Sequence, residues 1–392
     1  MAQPATRSNE SASPAADLLT LARNIAPAVR DAADEAERIR QCPPKIVELL
    51  HANRLFDMIL PQAYGGLQKS IPTMVRVLEE LAIADGSIAW VVGIGNGTSI
   101  IAAYLEEAVA KSFFVPRAVA GGAQAPYGRA TRTEGGFRVT GRWPFASGCT
   151  HCTMLVGGCL VTAADGSPSI MPDYRMAVFP IEEVEIIDTW NVAGLRGTGS
   201  HDMQVTDVLV PEERIIQFGL AQPRIDAPAY RYPPLGFLAL TVSPIPLGIA
   251  RRAIDELLAL AGGKTPMGMG SKLAERPLTQ YEIGRAEAIL SSARAWMYEV
   301  MEQVWEKAVA GEEITPKDRA VVRMACAHAA LESVRAVEIA YRLGGGSSLY
   351  EGNVLQRCLR DAHAATQHVM LAPPNYEPAG RAMLGLDLPP MV

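Results

Sequence analysis

Near Ala118 the chain changes texture, and this switch constrains its fold more than any other feature. From there to about residue 225 glycines are dense and apolar residues come in short runs. Gly121–Tyr127, Phe137–Trp143, Thr153–Val161, Met176–Pro180, Val184–Ile187 and Met203–Val210 are all strand-sized and are separated by Gly, Pro, Asp and Ser. Glu134-Gly135-Gly136 makes a hairpin turn between the first two. About a hundred residues of this kind are enough for a small β-barrel.

Both flanks have helical spacing instead. On the N-terminal side, Leu18, Leu19, Ala22, Ile25, Ala26 and Val29 recur on one face. Pro43-Pro44 opens a short helix, and helices follow over Ile71–Ala84 and from Gly86 to about Tyr104. On the C-terminal side, Leu235–Leu260 reads as a helix kinked near Pro244 and Pro246, followed by a mobile loop over Gly262–Ser271. Long helices are predicted over Leu278–Ala310 and Pro316–Leu343, and a last one from Val354 to about Leu371. Four long helices with short connections form an antiparallel bundle. The fold class is α+β: an N-terminal helical domain (15–117), a β-barrel domain (118–225) and a C-terminal four-helix bundle (226–392). The Ala, Ser and Pro-rich residues 1–14 read as a disordered tail.

Composition excludes several classes. A net charge of −6 is not the footprint of a nucleic-acid binder. No uninterrupted apolar run reaches the roughly 18 residues of a membrane span; the apolar stretch Ile94–Leu105 is broken by Asn96, Thr98 and Ser99. The N-terminus lacks a cationic start and an apolar run, so a cytoplasmic protein is expected. Cys149-Thr-His151-Cys152 has no second cluster to complete four zinc ligands, so its thiols are expected in the interior and no metal is predicted.

A late glycine break, Gly344-Gly345-Gly346, precedes a polar helix carrying Arg360-Asp361, His363 and His368. Amides at such a break can approach an anionic or polar ligand closely. His363 and His368 lie about 140° apart on a helix, so they do not share a site.

Together with Gly141-Arg-Trp-Pro-Phe-Ala-Ser-Gly148 and Gly194-Leu-Arg-Gly-Thr-Gly-Ser200, this stretch resembles the acyl-CoA dehydrogenase superfamily over nearly the whole chain. Two of its branches compete. The dehydrogenases hold FAD tightly and use a glutamate to take the α-proton of an acyl thioester. The oxygenase components of two-component flavin-dependent monooxygenases accept reduced FMN or FAD from a flavin reductase and form a C(4a)-hydroperoxide with O2. They then oxygenate an aromatic, sulfur or nitrogen substrate. In the dehydrogenase pattern the base follows Arg-Asp by about two turns; here Gln367-His368-Val369 stands there, and Glu351 comes too early. The resemblance therefore implies the monooxygenase branch, with His368 as proton donor or base.

The same resemblance places the Ser147 hydroxyl against flavin N5, with Gly148 beside it; period-two alternation puts Trp143 and Phe145 on the same strand face as Ser147, Trp143 as a flavin contact and Phe145 in the substrate pocket. It assigns Arg196, Thr198 and Ser200 to the turn over the isoalloxazine, and the backbone at Gln124 and Ala125 to its pyrimidine edge. Gly345 and Gly346 serve a flavin tail or a subunit contact. Arg276 and Gln280 reach flavin phosphate across the interface of a homotetramer, or form a surface ion pair instead. Asn96 lines the substrate pocket or is a satisfied core amide, and His151 is a further pocket candidate. The remaining alternatives are an acyl-CoA dehydrogenase or flavin oxidase with bound FAD, and a non-catalytic flavin-binding protein of the same fold.

Overall fold

A proline in the first turn or a side-chain cap marks most helix starts. In the computed structural model, which describes residues 14–162, 173–218, 221–268 and 270–388, the N-terminal part runs through α1 (Pro14–Asp31), α2 (Ala33–Ile39), α3 (Pro44–Ala52), α4 (Ile71–Ala84), α5 (Gly86–Ser99) and α6 (Glu107–Phe113). The expected tail, apart from Pro14, lies outside the described residues. The Ser70 side chain caps α4 by accepting from Thr73 N, and Asp85 caps α5 by accepting from Ile88 N at 2.9 Å. α5 is apolar on all sides and is buried against α4, α8 (Pro234–Val242) and the first strand.

Asn96 on α5 is fully buried and fully paired. Its amide nitrogen donates to Leu55 O (2.7 Å) and Val92 O (2.9 Å), and its oxygen accepts from Ile59 N (3.2 Å). It staples the α3–α4 connection to α5 and does not line a substrate pocket, which corrects that assignment.

The central block folds as β1 (Ala120–Thr133), β2 (Gly136–Ala146), β3 (Met154–Thr162), β4 (Tyr174–Pro180), β5 (Glu185–Ile187), β6 (His201–Val210) and β7 (Ile215–Ile216). Among the described residues these pair in the order β5-β6-β2-β1-β3-β4-β7. β1 and β2 form the expected hairpin, with Thr133 opposite Gly136, and β1 pairs with β3 in parallel. Trp143 lies inside this sheet structure and is fully buried, its indole N–H donating to Gly158 O at 2.7 Å. Its ring fills a slot where a Cβ on Gly128, Gly141 or Gly157 would come within 2.4–2.6 Å of it. It is a core residue, not a flavin contact.

The C-terminal part comprises α7 (Pro228–Arg231), α8, α9 (Pro244–Gly263), α10 (Pro277–Ala310), α11 (Pro316–Gly344), α12 (Val354–Ala365) and α13 (Tyr376–Met383). The expected kink is a break at Ser243, because Pro244 and Pro246 have no N–H to continue the ladder. α9 absorbs Gly262 and Gly263, so the connection to α10 is shorter than expected; Met269 within it lies outside the described residues. α11 packs on α9, α10 and α12.

The last predicted helix ends early. The Thr366 hydroxyl donates back to His363 O (2.8 Å), and His368 N bonds Ala365 O (3.1 Å) three residues back, so a chain of turns replaces the α-ladder. His368 therefore stands in the turn after α12, not on it, and its helical angle to His363 does not apply. His363 is exposed beside Glu338 (3.3 Å).

Because Asn96 satisfies three backbone partners, Asn96→Ala should lower stability by about 2–4 kcal/mol in urea unfolding, since buried amide and carbonyl groups lose their only side-chain partner.

Candidate active site

Strand β2 loses its alternation just before its end. Phe145 has φ +67° and Gly148 φ +75°, and the β2–β6 register slips between Trp143 and Ala146. The slip turns Phe145 outward, 66% exposed and edge-on to Trp190, while Ser147 turns inward and is 6% exposed. Trp143, Phe145 and Ser147 thus do not share a face, as simple period-two counting had required.

Inward, Ser147 Oγ accepts from the indole N–H of Trp90 on α5 (3.2 Å) and lies 2.7 Å from Ser200 Oγ just before β6. Ser200 Oγ lies 2.6 Å from Thr198 Oγ1, which donates to Leu195 O at 2.9 Å. Gly148 N donates to Thr198 O (2.9 Å), so the Ser147 turn and the Arg196–Thr198 turn are locked together.

That second turn hangs from α12. Leu195 adopts φ +52°, and its N–H is held by the Asp361 carboxylate at 2.6 Å. Gly194 permits this approach, because a Cβ there would stand 2.1 Å from Arg360 O. Burial, and next the charge of Asp85, push the Asp361 carboxyl up to about 7. Asp361 also lines a polar cleft of about 490 Å³ with Asp85, Arg30, Arg252 and Arg357. This cleft includes none of Trp90, Ser147, Ser200 and His368.

His368 joins the hydroxyl cluster through Trp90, whose ring it meets edge-on at 5.4 Å between centroids. Burial pushes its imidazole down to about 4, so it is neutral at pH 7. Its Nδ1 accepts from Met370 N at 3.3 Å, which leaves the ring proton on Nε2. A neutral ring in this tautomer is a hydrogen-bond donor at Nε2.

His151 is the other neutral imidazole, brought down to about 4 by burial and then by His51. It lies against Gly148, where a Cβ would be 3.0 Å from its ring, and 5.6 Å from the Phe56 ring. Among the described residues, both ring nitrogens of His151 and Nε of Arg196 are buried without a hydrogen-bond partner. Polar atoms in that state call for a ligand or water. Of these, His151 lies beside the Ser147-Gly148 turn, and Arg196 opens the turn whose Thr198 O accepts from Gly148 N.

The remaining candidates lie elsewhere. Gln124 and Ala125 sit in a β1 irregularity between Ala123 and Gly128, with Gln124 O accepting from Tyr174 Oη at 2.7 Å and Ala125 exposed. Arg276 caps α10 through its backbone, and Gln280 bonds Ala274 O at 3.0 Å. Gly345 and Gly346 are exposed in a 3-10 turn, where Lys264 Nζ donates to Gly344 O (2.6 Å) and Ser347 Oγ (2.9 Å). None of these makes a hydrogen bond to the Ser147 cluster among the described residues. Cys149 and Cys152 are buried thiols, with Cys149 raised to about 11 by burial, and no group of metal-ligating side chains is found among the described residues. Trp90 escaped sequence reasoning. Its one signal is that it is the sole aromatic on an aliphatic helix.

The acyl-CoA dehydrogenase N-terminal domain family matches residues 18–122, and the C-terminal domain family matches residues 240–373. Indole-3-acetate monooxygenase of Pseudomonas putida is 34% identical over 360 residues, spanning 91% of each chain. The chain belongs to the acyl-CoA dehydrogenase family, among its flavin-dependent monooxygenases. Two solved structures agree over nearly their whole length. XiaF from Streptomyces sp., in complex with FADH2 and glycerol, superposes with TM-score 0.91 at 26% identity, covering 96% of this chain and 97% of that one. The HsaA monooxygenase from M. tuberculosis superposes with TM-score 0.90 at 28% identity, covering 97% and 100%.

Lowered imidazole values fix the sign of one pH effect. His368 titrates near 4 when folded and near 6.5 when unfolded, so the unfolded chain binds the extra proton between these limits. The stability from keeping it neutral is present above about pH 6.5 and lost as pH falls towards 4. His368→Gln should therefore lose less melting temperature than the unmodified protein when both are taken from pH 7 to pH 4.5.

Proposed function

We propose that this chain is the oxygenase component of a two-component flavin-dependent monooxygenase, which takes reduced FMN or FAD from a separate flavin reductase and inserts one oxygen atom of O2 into a small aromatic substrate. An indole-type ring is the first candidate, in keeping with the indole-3-acetate monooxygenase relative. One observation carries the reading. Where thioester chemistry requires a carboxylate base after Arg360-Asp361, the chain offers His368, a neutral imidazole with its proton on Nε2.

Bound reduced flavin supplies the electrons that activate O2. The chain's own residues divide the remaining work. Ser147, Arg196 through its free Nε, and the Gln124–Ala125 backbone would hold the flavin. His368 donates a proton or hydrogen bond from Nε2 to the oxygen being transferred; with Nδ1 engaged by Met370, donation is favoured over abstraction. Trp90 excludes water between His368 and Ser147. A polar group of the substrate satisfies His151. Exposed apolar side chains at Leu278, Tyr281, Leu349 and Tyr350 lie next to Arg276, Gln280, Gly345 and Gly346 in sequence. Their exposure supports a homotetramer in which those residues meet a neighbouring copy and a flavin tail. The reading places the enzyme in the cytoplasm.

With a reductase, reduced FMN or FAD, indole-3-acetate or indole, and ¹⁸O₂, one labelled atom should appear in the product by mass spectrometry. No label, together with bleaching of a bound FAD by butyryl-CoA, would return the chain to the dehydrogenases. His368→Ala should cut product formation by about 10²-fold, the usual scale for a positioned proton donor, while hydrogen peroxide release rises.

A further inference from the structure

Two neighbouring residues of α12 grip the turn before β6 with opposite chemistry. The Asp361 carboxylate accepts from Leu195 N at 2.6 Å, and the Arg360 guanidinium donates to Ala193 O. Gly194 stands between these contacts with its backbone against the helix, since a Cβ there would lie 2.1 Å from Arg360 O. Gln356 Oε1 accepts from Arg360 Nε at 2.7 Å and Glu37 of α2 pairs with the same guanidinium, which aims it from two sides. Leu195 is kept at φ +52°, a conformation leucine leaves unless its surroundings impose it. Stability alone is a poor reason for this arrangement. Asp361 is buried and shares a cleft with Asp85, and a carboxylate taken out of water beside another is costlier than an apolar side chain in its place.

The same helix carries the imidazole. α12 ends at Ala365, and His368 N bonds Ala365 O at 3.1 Å, so His368 sits directly on its end. Contacts followed from there make a closed ring. His368 meets Trp90 edge-on, Trp90 donates to Ser147, and Gly148 N donates to Thr198 O. The turn holding Thr198 then returns to α12 at Ala193 and Leu195. Opened at α12, these contacts join His368 to Ser147 only through Trp90, and a ring-edge contact is far less directional than a hydrogen bond.

We propose that Arg360 and Asp361 are positioning residues which hold the Arg196–Thr198 turn and His368 at a fixed separation, so that oxygen transfer outruns loss of hydrogen peroxide. The inference rests on the oxygenase reading, with Ser147 and Arg196 at the flavin and His368 donating to the transferred oxygen. Coupled turnover converts reduced flavin, O2 and substrate to oxidised flavin, hydroxylated substrate and water. Uncoupled turnover converts reduced flavin and O2 to oxidised flavin and hydrogen peroxide. Which of the two prevails depends on a donor placed to better than about 1 Å.

The test takes the full-length protein with reduced FMN, O2 and indole-3-acetate. It reads the dissociation constant of reduced FMN by anaerobic fluorescence titration, the hydrogen peroxide formed per flavin oxidised, and the melting temperature. Asp361→Ala removes the acceptor, and Gly194→Ala drives the turn off α12 while leaving the carboxylate in place. Each should weaken FMN binding by about tenfold, the worth of one hydrogen bond to a charged group, and raise the peroxide share by roughly twofold or more. Asp361→Asn keeps an oxygen acceptor without the charge and should hold both quantities within about twofold of the unmodified protein. A merely structural role lowers the melting temperature and the amount of active enzyme, and leaves FMN affinity and peroxide share of the folded fraction unchanged. Arg360→Met alters a partly exposed side chain and decides the matter where the buried variants do not fold. Unchanged FMN affinity and peroxide share in the folded variants overturn the clamp and leave the oxygenase reading standing. Peroxide as the sole product of the unmodified protein counts against the oxygenase reading, and the FMN dissociation constants then decide the clamp.

Discussion

Asp361 is where the C-terminal bundle takes hold of the sheet. Its carboxylate, buried at 5% exposure, holds the N–H of Leu195 in a left-handed conformation. Everything at the site hangs from that bond in sequence: Leu195 O receives Thr198, Thr198 meets Ser200, Ser200 meets Ser147, and Ser147 receives Trp90 from α5. A helix of the N-terminal part, the turn after β2, the turn before β6 and a helix of the bundle thus share one hydrogen-bonded line. Such a line is strongest when every member is satisfied and costly when one is not, because the surroundings are too dry for water to substitute. The pKa of Asp361, raised to about 7 by that dryness, is a measure of what its burial costs.

Dryness also shapes the two histidines. His151 and His368 are both held near 4, so they enter any reaction at neutral pH as neutral rings. A neutral imidazole with one nitrogen engaged by Met370 is a different instrument from the carboxylate that dehydrogenation of a thioester demands. The family scaffold is retained, and in the proposed reading the side chain after α12 is where its chemistry departs from thioester dehydrogenation. The unpartnered nitrogens of His151 and Arg196 point the same way, since polar atoms left dry in a finished fold are places where something else completes the structure.

Most elements were legible in order and in type. The hairpin at Glu134-Gly135, the helices opened by Ser70 and Asp85 and the proline break before α9 all follow from local rules of turn, cap and missing donor. Ser147, Arg196, Thr198, Ser200 and His368 were legible as members of motifs, and the connections among them were not. Trp143 was misplaced because the alternation that predicts a shared face stops at the positive φ of Phe145, and positive φ on a phenylalanine leaves no mark in a sequence. Asn96 looked like a pocket residue because a polar side chain on a buried helix is conspicuous; two of its three partners, Leu55 O and Ile59 N, come from a separate segment and cannot be counted along the chain.

The sequence by itself determined the succession of helical, β and helical segments, the three glycine-rich motifs, and the presence of His368 where the family resemblance puts a glutamate base. Periodicity and backbone chemistry act over a few residues, and a few residues suffice to show them. Only the tertiary structure decided that Trp90, 57 residues before Ser147, donates to it, and that Asp361, 166 residues after Leu195, holds the turn in place. It also decided that His368 leaves the helix and loses its charge. Hydrogen-bond direction and desolvation depend on which groups surround an atom in space, and chain folding alone supplies those neighbours.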